Sequence, residues 1–428
     1  MAATKIIPVL ARAIRGSAIY FRLVLLALIL PLSAQAATEV DTLRTEVEQL
    51  KLRLDSLEGS LEDEVQAKES ASESQDRPQT PAITIGGALR YTYAWRNFEP
   101  NSDAKLGDVG LDLFRLNVDG QRDNFLVSAE YRFYPYMSTL HHGWFGYETD
   151  SGAQWQAGVS QVPFGLLPYA SHNFWFGVPF YLGLADDYDS GIKFIDKGEA
   201  WDLQLAFYKN GELGNAASSN RYSYDPIIVS ADNTAQNEEV NTFNARLAYT
   251  FGAGRECNHE LGLSAQAGQL YNRQTQRHGS QWASALHLDS RCGRWNIQFE
   301  AGRYGYQPRN ASGVSDNTVT LGAFAYPYAV ASRGSFGVLN FAYNLPVAPD
   351  SVDLITCYND FSVLGKDEAS FNDSMVNTLG CAIGDGPLFT YIDLVAGHNM
   401  IFLGSGSLAG GGNNQWETRL NINVGYYW

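Results

Sequence analysis

Beyond residue 36, the 428-residue chain has no apolar run long enough for a membrane-spanning helix, which needs about 20 residues. This absence excludes a bundle of transmembrane helices. Basic residues are also scarce: 30 Lys and Arg stand against 46 Asp and Glu, and the formal charge of −16 argues against a nucleic-acid-binding protein. The four cysteines show neither C-x-x-C nor Cys/His metal spacing, so we expect disulfides, no metal and no cofactor.

Signature motifs of common enzyme classes are missing as well. The sequence contains no G-x-S-x-G elbow, no H-E-x-x-H helix and no G-x-x-x-x-G-K-[ST] loop. His287 is the histidine placed in the middle of a predicted strand, and the alternation of side chains along that strand puts it on the inner face. A barrel phospholipase needs its histidine on the outer face. His141 and His142 lie beside a predicted loop and are expected to be solvated. We therefore predict that the protein is not an enzyme.

Aromatic residues and glycine are plentiful, with 24 Tyr, 22 Phe, 9 Trp and 41 Gly. Apolar and polar residues alternate along several segments, clearest at residues 83–96, 201–207, 243–251 and 295–300. Segments of about ten residues with a period of two, separated by turns and ending in aromatics, are typical of a transmembrane β-barrel. The fold class predicted from this pattern is all-β.

Turn and loop lengths predict the strand count. Short turns are expected near residues 120–124, 150–153, 196–199, 252–258, 290–294, 346–351 and 384–387. Long connections are expected near 97–109, 135–142, 163–189, 210–240, 272–279, 306–333, 359–373 and 398–415. Alternation of the two kinds gives a 16-stranded antiparallel barrel over residues 82–428, with both ends on the periplasmic side. Counting Val319 to Phe324 as a strand would give seventeen, whereas two barrel ends on the periplasmic side require an even number of strands. We therefore assign this segment to a long external loop.

The N-terminal 36 residues have the features of a secretory signal peptide. A region with four basic residues and no acid precedes the apolar stretch 23–32 and the small-residue site Ala34-Gln35-Ala36. The alternative is a membrane anchor. Cleavage after Ala36 changes the formal charge from −16 to −20 and places the mature chain outside the cytoplasm.

Residues 37–69 show the apolar spacing of a coiled coil. The seam consists of Val40, Leu43, Val47, Leu50, Leu54, Leu57, Leu61 and Val65. So short a helix cannot bury its apolar stripe alone, which predicts self-association, with a homotrimer preferred. The alternative is a helix lying on its own domain. Residues 70–81 are interpreted as a flexible linker.

The predicted topology also places the cysteines. Cys257 opens one strand and Cys292 closes its hairpin partner, while Cys357 and Cys381 lie on adjacent strands. Of the three pairings that four cysteines allow, we favour Cys257 with Cys292 and Cys357 with Cys381; free or mispaired thiols are the alternative.

The chain ends in a strand, 416–428, whose last residue is Trp428. Bacterial outer-membrane proteins resemble it in ending on an aromatic, usually Phe, that the barrel-assembly machinery recognises. The order of signal peptide, heptad segment and barrel, with Val162-Pro163-Phe164-Gly165 leading into Asp186-Asp187-Tyr188-Asp189-Ser190-Gly191-Ile192-Lys193, resembles the family of phosphate-selective porin O and P. The resemblance implies a passive channel in the outer membrane for small hydrophilic solutes and ions, with anions such as phosphate as candidates. Outer-membrane lipid and lipopolysaccharide are the implied surroundings.

In a porin, inward loops and rings of charge set ion preference. The loop 163–189 carries the aromatics Phe174, Trp175, Phe176, Phe180 and Tyr181, followed by Asp186, Asp187 and Asp189. We expect the aromatics to pack on the inner wall and the acids to line the opening; the alternative is an external cap whose acids face water. A second inward fold is expected at 306–333, with Tyr326 to Tyr328 as packing and Arg333 as charge.

Strand parity predicts a basic strip opposite this loop. The inward residues are Arg90, Arg115, Arg132 and Arg419. The acids Asp202, Glu300 and Asp393 are expected elsewhere on the wall, giving a transverse field. The alternative is that each arginine simply pairs with a neighbour such as Asp119 or Glu130. The alternative function is a non-conducting barrel that acts as an adhesin or an envelope tether.

Overall fold

The computed structural model describes residues 82–428 apart from 215, 230–231, 233, 253, 255, 349–350 and 413. The predicted signal peptide 1–36, coiled coil 37–69 and linker 70–81 lie outside the described residues. Among the described residues, no helix combines the length and apolar character needed to cross a membrane.

Sixteen antiparallel strands close into one barrel, in which the last strand pairs with the first. The prediction of a 16-stranded barrel is confirmed. The barrel strands are β1 (Ala82–Arg96), β2 (Asp108–Arg122), β3 (Phe125–Phe133), β4 (Ser138–Glu148), β5 (Gln154–Gln161), β6 (Tyr188–Lys197), β7 (Trp201–Gly211), β9 (Asn237–Phe251), β10 (Cys257–Asn272), β11 (Arg277–Cys292), β12 (Trp295–Gln307), β15 (Arg333–Asn344), β16 (Leu354–Lys366), β17 (Ser374–Asp385), β18 (Leu388–His398) and β19 (Trp416–Tyr427).

The period of two gives every strand an apolar outer face. In β11, Trp282 and Leu286 are exposed on the outside, at 38% and 40%. Their neighbours Gln281 and His287 point inward and are buried. A soluble protein would bury the apolar face in its core instead, so the exposed apolar face requires an apolar environment around the barrel.

Aromatic pairs form a rim at the end of the barrel that carries the short turns. Ring centroids of neighbouring strands lie 4.5 to 5.3 Å apart in four such pairs: Phe125 with Tyr147, Trp155 with Phe194, Trp201 with Tyr249 and Trp295 with Tyr343. Cross-strand aromatic contacts stabilise adjacent strands. Rings in this position also suit the boundary between lipid and water.

Trp428 completes the closure between the last and first strands. Its backbone N–H donates to the Gly87 carbonyl at 3.2 Å, and its carbonyl accepts from the Gly87 N–H at 3.0 Å. The indole packs where a Cβ at position 87 would stand, so this position needs glycine. The terminal aromatic is therefore part of the seam of the barrel.

The short turns occur where the sequence predicts them, but three of the long connections are shorter than expected, at 134–137, 273–276 and 367–373. β4 begins at Ser138, so His141 and His142 lie within a strand. The expectation that these histidines are solvated is wrong for His141, which is buried between the rings of Tyr188 and Tyr222. β16 also extends to Lys366, which leaves 367–373 as the connection to β17.

Three short strands and two short helices lie in the long connections. The strands β8 (Asp225–Pro226), β13 (Thr318–Ala323) and β14 (Tyr326–Ala331) form a separate sheet in the order β14-β13-β8. The assignment of Val319 to Phe324 to a long loop outside the barrel wall is thus confirmed. The helices are α1 (Pro100–Lys105) and α2 (Val178–Tyr181).

Two disulfides link neighbouring strands. Cys257 of β10 stands directly opposite Cys292 of β11, and Cys357 of β16 stands opposite Cys381 of β17. Both pairs are bonded, which is the pairing favoured from the sequence.

Candidate functional site

One long connection, residues 162–187 between β5 and β6, enters the barrel and is called here the inserted loop. Its two ends are held together by the Val162 N–H, which donates to the Asp187 carbonyl at 2.8 Å. Gly165 turns the chain inward with a φ of 67°, and a Cβ there would lie 2.7 Å from the Glu300 carboxylate. The loop therefore leaves the wall through a narrow neck and approaches the opposite wall closely.

The first part of the inserted loop is fixed to β9, β10 and β12. The Gly165 N–H donates to Ser264 Oγ at 3.0 Å, and the Leu166 N–H donates to Glu300 Oε2 at 3.0 Å. Arg246 Nε donates to the Gly165 carbonyl at 2.9 Å. Buried backbone groups need such partners, so the inward side chains of the wall determine the path of the loop.

Asp360 of β16 is the main anchor of the middle of the loop. Its carboxylate accepts from the His172 N–H at 2.6 Å, from Asn173 Nδ2 at 2.7 Å and from His172 Nδ1 at 2.8 Å. Burial lowers the pKa of His172, but the hydrogen bond and the charge of Asp360 outweigh this effect, so the net shift is upward. A charged His172 strengthens the anchor.

Two more anchors hold the end of the loop that contains the aromatics. The Phe174 N–H donates to Asp393 at 3.1 Å, and the Val178 N–H donates to Ser362 Oγ at 2.9 Å. Glu300 and Asp393, expected from parity to supply an acidic wall, therefore bind the inserted loop. Asp202 forms an ion pair with Arg246 at 3.0 Å. These three carboxylates support the constriction instead of lining an open lumen.

Aromatic residues of the inserted loop pack against aromatic residues from three other long connections. Phe180 lies 5.2 Å from Tyr224 and 6.3 Å from Phe324 between ring centroids, and Tyr181 lies 6.0 Å from Phe402. Tyr328 donates its hydroxyl proton to the Tyr181 carbonyl at 2.6 Å. The expected packing of the loop aromatics is present, but the surface they pack on includes the other loops as well as the wall.

Arg333, expected with Tyr326 to Tyr328 in a second inward fold, is exposed at the start of β15.

Opposite the inserted loop, four arginines on adjacent strands face inward and form what is called here the basic wall. The four are Arg90 of β1, Arg115 of β2, Arg132 of β3 and Arg419 of β19. Three of them pair with carboxylates of the same wall: Arg90 with Asp112 at 2.8 Å, and Arg115 and Arg132 with Glu130.

Two side chains of the inserted loop reach the basic wall. The Arg419 guanidinium lies 3.8 Å above the Trp175 ring, and the Arg90 guanidinium lies 5.2 Å from the Phe174 ring centroid. Within the described residues, Arg419 has no carboxylate within 4.0 Å. Stacking on aromatic faces holds guanidinium groups without neutralising their charge. The constriction is thus bounded by loop aromatics and cationic groups.

The three aspartates predicted for the opening separate. Asp186 accepts hydrogen bonds from the hydroxyls of Tyr222 and Tyr188, and the Arg132 guanidinium lies 4.5 Å above the Tyr222 ring, so Asp186 is joined to the basic wall through Tyr222. Asp187 and Asp189 are buried beside Asp225 instead.

Sequence reasoning missed Asp112 as a partner of the basic wall. A β-bulge shifts the register of β2 between the positions opposite Arg90 and Tyr91. As a result Asp112 reaches Arg90. The next residue, Leu113, is buried as well, although strict alternation would place neighbouring residues on opposite faces. Parity counting fails across a bulge because two residues of one strand oppose one of its partner.

The sequence matches no protein-family model and no curated protein. Solved structures of similar fold include the outer membrane channel DcaP of Acinetobacter baumannii, at 9% identity and a TM-score of 0.52 over 82% of this chain and 99% of that chain. The fold is the porin fold. OmpF of Salmonella typhi, solved in complex with daunomycin, matches at 8% identity and a TM-score of 0.53 over 81% of this chain and 97% of that chain. An anion-selective porin from Comamonas acidovorans matches at 10% identity and a TM-score of 0.50 over 82% of this chain and 100% of that chain.

Proposed function

We propose that this porin-fold chain forms a passive aqueous channel for small hydrophilic solutes and ions in the bacterial outer membrane. The observation that carries the proposal is the inserted loop, held in the lumen by wall side chains and facing the basic wall. A loop fixed in this way narrows a pore without needing energy or a catalytic group. The apolar outer face and the aromatic rim support a position within lipid.

We further propose a preference for anions. Three of the four guanidinium groups of the basic wall pair with two carboxylates, those of Asp112 and Glu130, while Asp186 reaches the wall only through Tyr222. Arg419 stacks on Trp175 and has no carboxylate within 4.0 Å among the described residues. A cationic surface in a narrow passage raises the local concentration of anions. Guanidinium groups also bind phosphate oxygens in pairs, which agrees with the sequence resemblance to phosphate-selective porins.

Single-channel recording in a planar bilayer tests both proposals. Under a salt gradient we expect stable ohmic steps and a reversal potential whose sign shows that anions are more permeant than cations. Added phosphate is expected to reduce the chloride current if guanidinium groups line the passage. A folded barrel that never conducts would favour the adhesin or tether, and turnover of lipid by the purified protein would favour an enzyme.

Trp428 is proposed as the signal that the barrel-assembly machinery recognises, as well as the residue that closes the barrel. Deletion of Trp428 is expected to lower the yield of folded barrel in the outer membrane severalfold, because both backbone hydrogen bonds to Gly87 and the ring contact are lost. Heat-modifiable migration of the outer-membrane fraction on gels measures the folded amount.

Trp428→Phe is the matched control, since it keeps an aromatic ring and the backbone. We expect this variant to assemble nearly as well as the native chain. Equal yields for the deletion and the native chain would contradict the proposed role.

The homotrimer remains a proposal based on the heptad segment 37–69, and conductance steps in threes are the expected sign of it. Lipopolysaccharide is the proposed outer neighbour of the long loops, where exterior carboxylates and bridging divalent cations would meet its phosphates.

A further inference from the structure

Three buried carboxylates meet where the inserted loop rejoins the barrel. Asp187 is the last residue of the loop, Asp189 follows in β6, and Asp225 belongs to the short strand β8 of the next long connection. One carboxylate oxygen from each residue lies within 4.8 Å of the other two. Exposure is 9%, 1% and 2%, respectively, so all three are withdrawn from bulk water.

The surrounding positive charge does not balance this cluster. Among the described residues, Arg221 supplies an ion pair here, to Asp225. Glu212 adds a further carboxylate close by, with its oxygens bound to the Tyr222 and Ser223 N–H groups at 2.8 and 2.7 Å. Burying several carboxylates around one guanidinium is unfavourable unless a further cation or protons compensate.

A second observation concerns Asp189 itself. Its carboxylate supplies one of the three oxygens of the cluster, and its buried Oδ1 has no hydrogen-bond partner among the described residues. A buried carboxylate oxygen normally has a donor or a cation next to it. The geometry therefore leaves one carboxylate of the cluster with an oxygen that no donor satisfies.

We propose that Asp187, Asp189 and Asp225 bind one divalent cation of the calcium type. Calcium binds oxygen atoms at about 2.3–2.6 Å, so two oxygens on opposite sides of one ion are about 5 Å apart. The separations in the cluster fit this limit. Calcium takes six to eight oxygens, and water would complete the shell. A small cavity of about 20 Å³, lined in part by Gly211, Arg221, Asp225 and Glu239, borders the cluster at Asp225 and has room for about one water molecule.

The bound ion would join the end of the inserted loop to β6 and to the connection 212–236, and so would stabilise the position of the constriction.

Calcium titration of the refolded full chain in detergent, after treatment with EDTA, tests the site. We expect one Ca²⁺ per chain by calorimetry, competition by Tb³⁺ with luminescence sensitised by nearby tyrosines, and a rise in the unfolding midpoint. Asp189→Asn is expected to weaken Ca²⁺ binding by about tenfold or more, because ligand charge sets affinity.

The unfolding midpoint gives a sharper criterion than affinity alone. In EDTA, Asp189→Asn should be at least as stable as the native chain because it removes an unpaired buried charge, whereas in Ca²⁺ the native chain should be the more stable. Glu199→Gln, a charge-matched change at an exposed turn residue, should leave binding and stability as in the native chain.

Asp225→Asn provides a second variant if Asp189→Asn does not fold, and it is expected to show the same loss of Ca²⁺ binding. Native-like Ca²⁺ affinity in either folded variant, or no saturable Ca²⁺ binding by the native chain, overturns the site. None of these measurements depends on conductance, so the proposed channel and the proposed cation site fail separately.

Discussion

Replacing Arg90, Arg115, Arg132 and Arg419 together by glutamine should convert an anion-preferring channel into a cation-preferring one. The carboxylates of Asp112 and Glu130 then remain without their partners on the wall. Two unit charges 4 Å apart interact by about 1 kcal/mol even in water, and 1.4 kcal/mol corresponds to a tenfold ratio. We therefore expect the permeability ratio of anions to cations to fall by about tenfold or more, measured as the reversal potential under a salt gradient.

Two controls separate charge from packing. Glutamine in place of four exposed arginines, Arg122, Arg277, Arg291 and Arg309, removes the same total charge from the barrel ends and should leave the reversal potential nearly unchanged. Lysine at the four positions of the basic wall keeps the charge but loses the planar pair of donors. The lysine variant should keep the anion preference and lose most of any phosphate block. Native selectivity in the glutamine variant would show that the basic wall does not determine the ion preference.

Asp360→Ala should release the middle of the inserted loop and raise the conductance. The carboxylate accepts three hydrogen bonds from His172 and Asn173, and their donors would be left buried without an acceptor. Each such loss costs about 1–3 kcal/mol, so the loop would favour positions away from the wall. Single-channel records are expected to show larger and noisier steps than the native channel.

Asp360→Asn is the graded comparison, because an amide oxygen can still accept from one of the donors, and an intermediate conductance is expected. Asp385→Asn, at an exposed short turn, is the matched control and should conduct like the native chain. Conductance identical to the native value in Asp360→Ala would show that the inserted loop is held by its other contacts.

The barrel was predictable because strand period, turn length and strand parity are local properties of the sequence. Each strand must place apolar residues outward at every second position, and hairpin turns need few residues, so the count of sixteen follows from the pattern. The same parity places the four arginines inward. It also aligns Cys257 with Cys292 and Cys357 with Cys381 across hairpins.

The contacts of the loops were not predictable in the same way. Asp186, Asp187 and Asp189 are adjacent in sequence, yet Asp186 faces Tyr222 near the basic wall while the other two approach Asp225. No period relates residues in an irregular segment, and the bulge in β2 breaks the period even within a strand. His141 is buried for a similar reason, since Tyr222 comes from a distant connection.

The sequence by itself determined the barrel, its strand number, the direction of its faces and the arginines on one wall, because these depend on alternation between neighbouring residues. Only the tertiary structure decided which carboxylates anchor the inserted loop and which gather beside Asp225. Those partners are up to 219 residues apart, in the case of Phe174 and Asp393. Their meeting depends on how the long connections fold inside the closed wall, where every buried backbone group must find a partner.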